Sequence, residues 1–324
     1  MHDTTDGADK PSLRALEESL DKGKILEAVV TLCDAEHNLI VDLGKIHGII
    51  PRNEGAVGIA EGSVRDIALI SRVGKSVAFI VTDIVTENGK VTATLSRRAA
   101  QEKCGKEYVE RLSIGDIIDA KITHLENFGA FCDIGCGIAA LMPIDAISVS
   151  RISHPSDRFS AGDCIKAVVK SVDELGRVSL SHRELLGTWE ENADKFKQGD
   201  TVVGAVRTVD EYGSFSELAP NLAGLAEPKE NVEAGQKVSV YIKSIIKDKM
   251  KVKLIIIDVF DAEKEPSPFS YFIDSGHLDY WQYSPDGCRK MIETVFKKIK
   301  RGLIFRLLFF FVLSEFGQLL LRRT

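Results

Sequence analysis

An internal repeat constrains this chain more than any other feature of its sequence. One unit opens with Gly115-Asp-Ile-Ile-Asp-Ala-Lys-Ile and another with Gly199-Asp-Thr-Val-Val-Gly-Ala-Val, and about thirteen residues into each lies an aromatic residue followed by Gly-x-Phe. Both units then have a loop, a second Gly-Asp or Gly-Gln step and a closing β-rich segment. A weaker copy opens at Gly23-Lys-Ile-Leu-Glu-Ala-Val-Val. Because a period of about eighty residues is the size of one small domain, we predict three copies of one module.

Short runs of β-branched residues, separated by Gly, Asp and Asn, dominate the chain from Asp21 to Asp261. Short strands at close, regular spacing are typical of all-β barrels and sandwiches. Ser12–Leu20 is instead predicted to be a short amphipathic helix, and Arg97–Arg111 and Glu184–Lys197 are predicted to be helical linkers. The predicted strands are Ile25–Val30, Ser76–Val81, Val91–Leu95, Ile117–Ile122, Ile165–Val172, Val202–Val206 and Val238–Ile242.

The bulk composition limits the functional classes. A formal net charge of −6 disfavours a non-specific binder of polyanions. The six cysteines are scattered, and the close pair Cys132 and Cys136 lacks a second pair that would complete a zinc site, so we expect reduced thiols, no metal and no cofactor. The first ten residues are acidic and polar, without the apolar segment of a secretory signal, and we therefore expect a cytoplasmic protein.

The repeated motifs carry a family resemblance. The succession Gly-Asp-x-x-x-(Ala/Gly)-x-(Ile/Val), (Phe/Tyr)-Gly-x-Phe and Asp-x-x-x-Arg-x-Ser-Leu-Ser is similar to the RNA-binding repeat of bacterial ribosomal protein S1, most completely in the middle copy. The resemblance implies an all-β chain of three tandem OB-fold, five-stranded barrels with short helical linkers. The predicted units are an N-terminal helical arm (1–20), a degenerate repeat (21–98), the best-matching repeat (113–186), a third repeat (197–261) and an aromatic-rich C-terminal extension, helical or irregular, with an apolar tail (262–324).

Two aromatic pairs are the first candidate RNA-binding residues. Phe128 and Phe131 are three residues apart, which would place them on opposite faces of a regular strand. Both rings can share the outer face if the glycine between them bends or bulges the strand. The resemblance implies that such a pair is a stacking platform for bases, and Tyr212 and Phe215 repeat the pattern in the third copy. The alternative is that one or both rings of a pair belong to the barrel core.

Four charged residues complete the candidate site. By the resemblance, Asp173 and Arg177 match the acidic and basic positions of the closing hairpin, beside the aromatic residues. Arginine can neutralise phosphate in a bidentate way or stack on a base. Lys121 on the first strand is a candidate phosphate contact, and Lys251 stands where the third copy would have the arginine. The alternative is a turn aspartate and ordinary surface cations.

The copies depart from the family pattern to different degrees. Pro143 in the middle copy and Glu227 in the third replace a histidine that is common in the family, and Glu227 would face a passing polyanion. In the first copy Glu36, His37 and Leu39 occupy the place of the aromatic pair. We therefore expect the middle copy to be the principal RNA contact and the third an auxiliary one. The first copy is expected to be a packing or protein-docking module.

The C-terminal region has a different composition. Residues 268–285 are rich in aromatic side chains and are predicted to form a cap on the third barrel, with a second stacking surface as the alternative. Lys297–Arg301 precede the apolar run Gly302–Leu313, which is too short for a membrane span of roughly 20 residues. An interfacial helix and a partner-binding helix remain open, and membrane association is not expected.

No catalytic motif occurs in the sequence, so an enzyme is not expected. The leading hypothesis is a single-stranded RNA-binding protein that resembles a short ribosomal protein S1 and acts in translation or mRNA handling, with the small ribosomal subunit as a candidate partner. The alternative is a protein-interaction scaffold whose barrels have largely lost affinity for RNA. The degenerate first copy and the net negative charge favour the second hypothesis.

Overall fold

The computed structural model of the chain describes residues 10–174, 176–260 and 269–296. These residues form three closed five-stranded barrels in chain order, which confirms the predicted all-β architecture. Barrel 1 contains β1 (Leu26–Cys33), β2 (Leu39–Leu43), β3 (Ile46–Ile50), β4 (Ser76–Glu87) and β5 (Lys90–Ser96). Barrel 2 contains β6 (Ile117–Glu126), β7 (Gly129–Asp133), β8 (Ala139–Pro143), β9 (Cys164–Val172) and β10 (Val178–Ser181). Barrel 3 contains β11 (Thr201–Asp210), β12 (Gly213–Ala219), β13 (Leu222–Ala226), β14 (Lys237–Ile246) and β15 (Lys251–Phe260).

Short helices and one small sheet connect and cover the barrels. The α-helices are α1 (Leu13–Lys22), α2 (Ile67–Ile70), α3 (Arg97–Glu107) and α4 (Trp189–Ala193). Single-turn 3-10 helices are Arg52–Glu54, Val109–Arg111, Ile144–Ala146, Pro155–Asp157, Arg183–Leu186 and Lys247–Lys249. The C-terminal strands β16 (Tyr280–Gln282) and β17 (Glu293–Val295) pair with each other in an antiparallel sheet.

All three barrels have the same strand connectivity. The first three strands form an antiparallel meander, the third strand pairs in parallel with the fifth, and the fourth closes the barrel against the first. Alternate side chains of each strand point into the barrel, and the inward set is mostly apolar, with the buried Ser214 and Ser216 of β12 as exceptions. In β6, for example, Ile118, Ala120 and Ile122 are buried while Asp119 and Lys121 are exposed. This connectivity is that of an OB-fold, in which the outer side chains of the meander are available to a ligand.

Barrel 1 is preceded by helix α1 and followed by helix α3, and both helices pack on it. Ser12 caps α1 by accepting a hydrogen bond from the Ala15 amide at 3.3 Å, and Leu16 of this helix is fully buried in the core of barrel 1. After β5, Arg97 begins α3 and is only 4% exposed. Its guanidinium donates to the carbonyl oxygens of Gly55 in barrel 1 (3.0 Å) and Gly137 in barrel 2 (3.5 Å). Arg97 therefore joins the first two barrels.

Burial changes the pKa of Arg97. Desolvation lowers the pKa of its guanidinium to about 10, with the nearby charge of Arg72 contributing in the same direction. Arg97 nevertheless stays protonated at neutral pH, and its two carbonyl partners compensate part of the cost of burying the charge. Gln101, one turn further along α3, also donates to the Gly137 carbonyl, at 3.1 Å.

Barrels 2 and 3 are joined by a buried ion cluster. Arg158 of barrel 2 is 4% exposed at its side chain and contacts the Glu217 carboxylate, which is 7% exposed. Arg207 contacts the same carboxylate at 2.9 Å, and it lies 3.7 Å from Asp157. Arg158 also donates to the Pro220 carbonyl at 3.2 Å. Two guanidinium groups share one carboxylate, and the buried Arg158 Nε has no hydrogen-bond partner among the described residues, so the desolvation of these charges is compensated only in part. The cluster links barrel 2 to β12 of barrel 3.

The C-terminal segment 269–296 packs on both of these barrels. Its Leu278 amide donates to the Gly115 carbonyl of barrel 2 at 2.9 Å, and its Tyr283 hydroxyl donates to the Asn221 carbonyl of barrel 3 at 2.5 Å. Trp281 and Tyr283 are buried in the same apolar cluster as the core of barrel 3. This aromatic segment therefore forms a clamp across barrels 2 and 3, rather than a cap on barrel 3 alone.

Candidate nucleic-acid interface

Corresponding residues form one line across the outer face of each barrel, and we call this line the outer row. In each barrel the row starts on the first strand, at the first paired residue after a register shift. It then crosses the second and third strands and ends on the fifth. In barrel 2 the outer row is His124, Phe131, Leu141 and Ser179. In barrel 3 it is Thr208, Phe215, Leu225 and Lys253. In barrel 1 it is Leu32, Ile40, Ile49 and Thr94.

Phe128 and Phe131 both lie on the outer side of barrel 2. Phe128 is 55% exposed, Phe131 is half-buried, and their ring centroids are 6.0 Å apart with the planes at 89°. The expectation that a glycine bulges the strand between them is wrong. β7 starts at Gly129, so Phe128 belongs to the turn and its direction does not follow strand alternation; the register shift lies in β6, between Ile122 and His124.

Gly129 is nonetheless required by close packing. A Cβ atom at this position would lie 2.3 Å from the Met142 carbonyl oxygen of β8. Gly213 of barrel 3 is in the same situation, since its Cβ would lie 2.0 Å from the Ala226 carbonyl oxygen, and its φ is +139°. The glycine of the aromatic motif thus lets β7 or β12 approach its neighbouring strand while the preceding ring projects outward.

His124 is a member of this surface that the sequence analysis missed. It lies within β6, and its ring is 6.4 Å from that of Phe131 with an interplanar angle of 27°. Its Nε2 is 2.6 Å from a Glu126 carboxylate oxygen. The signal was available in the repeat, because His124 and Thr208 both lie seven residues before the second aromatic residue of their pairs.

The charged candidates of barrel 2 lie near opposite ends of the outer row, Asp173 and Arg177 before β10 and Lys121 on β6. Arg177 is exposed in the β9–β10 hairpin, and its Nε is 2.6 Å from Asp173, whose carboxylate also accepts from the Arg177 amide at 2.9 Å. The two residues therefore brace one turn. Arg177 precedes Ser179 of the outer row by two residues and lies directly before the start of β10. Lys121 is exposed on β6 and paired in register with Asp133 of β7.

Barrel 3 presents a comparable platform with more positive charge. Tyr212 occupies the turn position of Phe128 and is 73% exposed, while Phe215 is 40% exposed. Lys253 ends the outer row, a residue that the sequence analysis did not single out, and Lys251 lies two residues before it on the same exposed face. The negative charge of the exposed Glu227 is compensated, because Lys243 contacts its carboxylate at 2.8 Å.

The hydrogen bond and charge of Lys243 hold the pKa of Glu227 below its usual value. Glu227 is therefore a carboxylate at neutral pH, and it neutralises one lysine of barrel 3. Both side chains are more than half exposed, so solvent screens the pair and it stabilises the protein only weakly. A phosphate group can replace such a weakly held partner.

Barrel 1 lacks the aromatic pair, and its outer row is aliphatic up to Thr94. The expectation that Leu39 takes the place of the second ring is wrong, because Leu39 is fully buried and Ile40 has the position of Phe131. His37 occupies the turn position, with a left-handed φ of 64°. Leu32 is 54% exposed at the start of the row. This surface offers apolar contacts but no stacking rings within the row.

The other sequence expectations concern cysteines and the tail. All six cysteines are free, and burial raises the pKa of the Cys132 and Cys136 thiols to about 12, which keeps them protonated at neutral pH. Among the residues that the structure describes, no cluster of His, Cys, Asp and Glu side chains could hold a metal ion. No helix within the same ranges is long and apolar enough to cross a membrane. The predicted basic and apolar tail, residues 297–324, lies outside the described residues.

Comparisons with known proteins agree with the repeat analysis. Residues 111–183 match the family model of the S1 RNA binding domain. Small ribosomal subunit protein bS1 of Staphylococcus epidermidis is 33% identical over 262 residues, which cover 76% of this chain and 64% of that protein. The bS1 protein of Staphylococcus aureus strain MRSA252 is 30% identical over 285 residues, which cover 82% of this chain and 70% of that protein. The chain thus spans about two thirds of the length of these curated relatives.

A crystal structure of a multidomain protein with nucleic acid binding domains from Streptococcus pneumoniae covers 72% of this chain and 73% of its own, with 14% sequence identity and a TM-score of 0.25. At this TM-score the similarity supports no conclusion about domain arrangement or function.

Proposed function

Because the chain belongs to the bS1 family of small ribosomal subunit proteins, we propose that it binds single-stranded RNA through the outer rows of barrels 2 and 3. The observation that carries this proposal is the mutually contacting pair of the exposed Phe128 and the half-buried Phe131 on the barrel that matches the S1 RNA binding domain. An exposed aromatic ring on an OB-fold barrel stacks on bases of any sequence, with about 1–3 kcal/mol per base.

The proposed mechanism is equilibrium binding without covalent chemistry. Splayed bases stack on Phe128 and Phe131, and His124 extends the platform by a third ring. Arg177 and Lys121 flank the platform and meet phosphate groups, while Asp173 holds the Arg177 side chain in place. We propose that these interactions serve mRNA handling or translation in the cytoplasm.

Barrel 3 is proposed to bind the same RNA strand with Tyr212, Phe215 and Lys251. Its rings are more exposed than those of barrel 2, and the ion cluster around Glu217 fixes it to barrel 2. Two platforms on connected barrels increase the effective concentration of the second binding site once the first is occupied.

Barrel 1 is proposed to dock a protein, with the small ribosomal subunit as the candidate partner. The aliphatic side chains of Leu32, Ile40 and Ile49 support this assignment, because they replace stacking rings by apolar contact area at the same positions. Exposed apolar residues that lie together on one face are typical of interaction sites.

The test is a fluorescence-anisotropy titration of a labelled single-stranded RNA, comparing the wild type with Phe128→Ala/Phe131→Ala. Loss of two stacking rings predicts binding at least about tenfold weaker, since each stacked base contributes ~1–3 kcal/mol. Ile40→Ala/Ile49→Ala is the matched control, because it removes two side chains from the outer row of barrel 1 and is expected to leave the RNA affinity unchanged. Undetectable wild-type binding at low salt would overturn the proposal.

A further inference from the structure

The closing hairpins of the three barrels differ sharply in charge. The hairpin of barrel 3, residues 243–253, contains five lysines and one aspartate. The corresponding segment of barrel 2, residues 170–179, contains one lysine, one arginine and two acids, and that of barrel 1, residues 82–94, contains one lysine and two acids. Since the strand pairing is equivalent, this charge is specific to the barrel 3 hairpin and not a general property of the fold.

Two of the five lysines are part of the exposed outer surface and extend the aromatic platform. Lys253 is level with Leu225, which is level with Phe215, so that strand spacing places the Lys253 backbone roughly 10 Å from that of Phe215. Lys251 points to the same side, because Val252 between them is buried. A base that stacks on Phe215 therefore brings its own backbone phosphates toward these two ammonium groups.

Lys243 faces the same region from β14. It occupies the register shift between Ile242 and Ser244, and Ser244 is paired with Lys253. Its ion pair with Glu227 crosses the end of β15, and the charges of both Lys243 and Lys253 lower the pKa of Glu227. Glu227 thus occupies a position between two lysines that a phosphate could fill.

The remaining lysines differ in how far they are compensated. Lys247 lies 3.3 Å from Asp194 and 3.9 Å from Glu190, so part of its charge is neutralised by α4. Within the described residues, no carboxylate lies at ion-pair distance from Lys249, Lys251 or Lys253. In barrel 2, by contrast, Arg177 is already held by Asp173.

We propose that the β14–β15 hairpin is the main phosphate-binding site of the chain and that barrel 2 contributes mainly base stacking. This inference rests on the proposed RNA binding and assigns its two physical parts to two barrels. It revises the expectation that barrel 3 is only auxiliary: barrel 3 supplies the salt-dependent part of the affinity. Glu227 acts as a competitor that an RNA phosphate displaces from Lys243.

The salt dependence of binding separates the two parts. Each phosphate neutralised on a single strand contributes about 0.7 to the slope of log affinity against log salt concentration. Stacking on neutral rings contributes nothing comparable to this slope. Lys251→Gln/Lys253→Gln is therefore expected to reduce the slope by about 1.4, so a fourfold rise in salt weakens the variant about sevenfold less than the wild type.

The experiment uses the full chain and a fluorescein-labelled uridine oligonucleotide at four salt concentrations. The control Lys45→Gln/Lys90→Gln makes the same change of charge on two exposed lysines of barrel 1 and is expected to leave the slope unchanged. Phe128→Ala/Phe131→Ala is expected to weaken binding at every salt concentration with the wild-type slope. Glu227→Gln is expected to strengthen binding with the wild-type slope, because it removes the competitor for Lys243 while the number of neutralised phosphates stays the same.

The outcomes separate this inference from the proposed function. Equal slope changes for the two lysine pairs, or wild-type slopes in both, would overturn the inference while leaving RNA binding in place. Weaker binding of Glu227→Gln would also contradict it. Absence of wild-type binding at the lowest salt concentration would overturn the proposed function and the inference together.

Discussion

Barrels 1 and 2 have the same strand order and the same register, yet their outer rows have different chemistry. Where barrel 2 has His124 and Phe131, barrel 1 has Leu32 and Ile40. The inward-facing residues of both barrels are apolar and fill closed cores, so the fold does not depend on what the outer row contains. The comparison teaches that one register can present a stacking platform or an aliphatic docking face, and that only the outward positions distinguish them.

The two barrels also differ in how they are attached to their neighbours. Barrel 2 shares a buried ion cluster and the C-terminal segment with barrel 3. Barrel 1 is joined to barrel 2 through α3, whose Arg97 and Gln101 contact the Gly137 carbonyl. We therefore expect barrels 2 and 3 to respond as a unit to perturbations that leave barrel 1 unaffected.

The largest expected effect tests this difference in attachment. Glu217→Ala leaves the guanidinium groups of Arg158 and Arg207 buried without their shared carboxylate, and it is expected to lower the free energy of unfolding of the barrel 2–3 unit by about 3–5 kcal/mol. Asp66→Ala in barrel 1 breaks a partly exposed, solvent-screened pair with Arg52 and is expected to lower the free energy of unfolding far less. Urea unfolding measures both, and equal costs would contradict the account.

A smaller effect concerns the pH dependence of the free energy of unfolding. His182 is fully buried among aromatic side chains of barrel 2 and the C-terminal segment, and desolvation lowers its pKa to about 4. The unfolded chain binds a proton at its ordinary pKa near 6.5, so the stabilisation is complete above that pH and is lost as the pH falls toward 4. The expected loss is at most about 1.4 kcal/mol per pH unit.

Urea unfolding of the barrel 2–3 unit between pH 7 and pH 4 checks this dependence. His182→Gln removes the titrating group and is expected to flatten the pH profile, whatever its effect on stability at pH 7. A variant with the wild-type pH slope would show that other groups cause the loss.

The next effect tests why the aromatic motif contains a glycine. Gly129→Ala places a Cβ against the Met142 carbonyl oxygen and is expected to destabilise the protein by about 1–3 kcal/mol and to weaken RNA binding, because Phe128 shifts with the strand. Gly105→Ala in α3 meets nothing within 4 Å and is expected to stabilise by about 0.4–1 kcal/mol. Thermal unfolding of the two variants should therefore give opposite signs.

The smallest effect concerns the residue that distinguishes the start of the outer row in barrel 2 from that in barrel 1. His124→Ala removes one ring of the platform and is expected to weaken RNA binding about fivefold, the lower end of the stacking range. Thr208→Ala, at the same position in barrel 3, is expected to have no effect. Equal behaviour of the two variants in the anisotropy titration would remove His124 from the site.

Most of the fold follows from the sequence because the repeat, the alternation of apolar residues and the turn glycines act locally. The site follows only in part. Phe128, Phe131, Tyr212 and Phe215 lie where the motif implies, but His124 and Lys253 depend on register shifts that no local pattern reveals.

In barrel 1, too, the sequence alone assigns one position of the outer row wrongly. The sequence alone suggests Leu39 in place of Ile40 because the paired outer-row residues Leu32 and Ile40 are eight positions apart, one more than the corresponding pairs of the other barrels. The clamp by residues 269–296 could not be derived either, since it consists of contacts between residues that are far apart in sequence, such as those of Leu278 with Gly115 and Tyr283 with Asn221.

Photo-crosslinking with a 4-thiouridine RNA, followed by identification of the modified residues, tests the central claim most directly. The account predicts crosslinks at Phe128 and Phe131 and, at lower yield, at Tyr212 and Phe215, because these rings contact the bases. Crosslinks confined to the aliphatic outer row of barrel 1, with none on barrels 2 and 3, would contradict it.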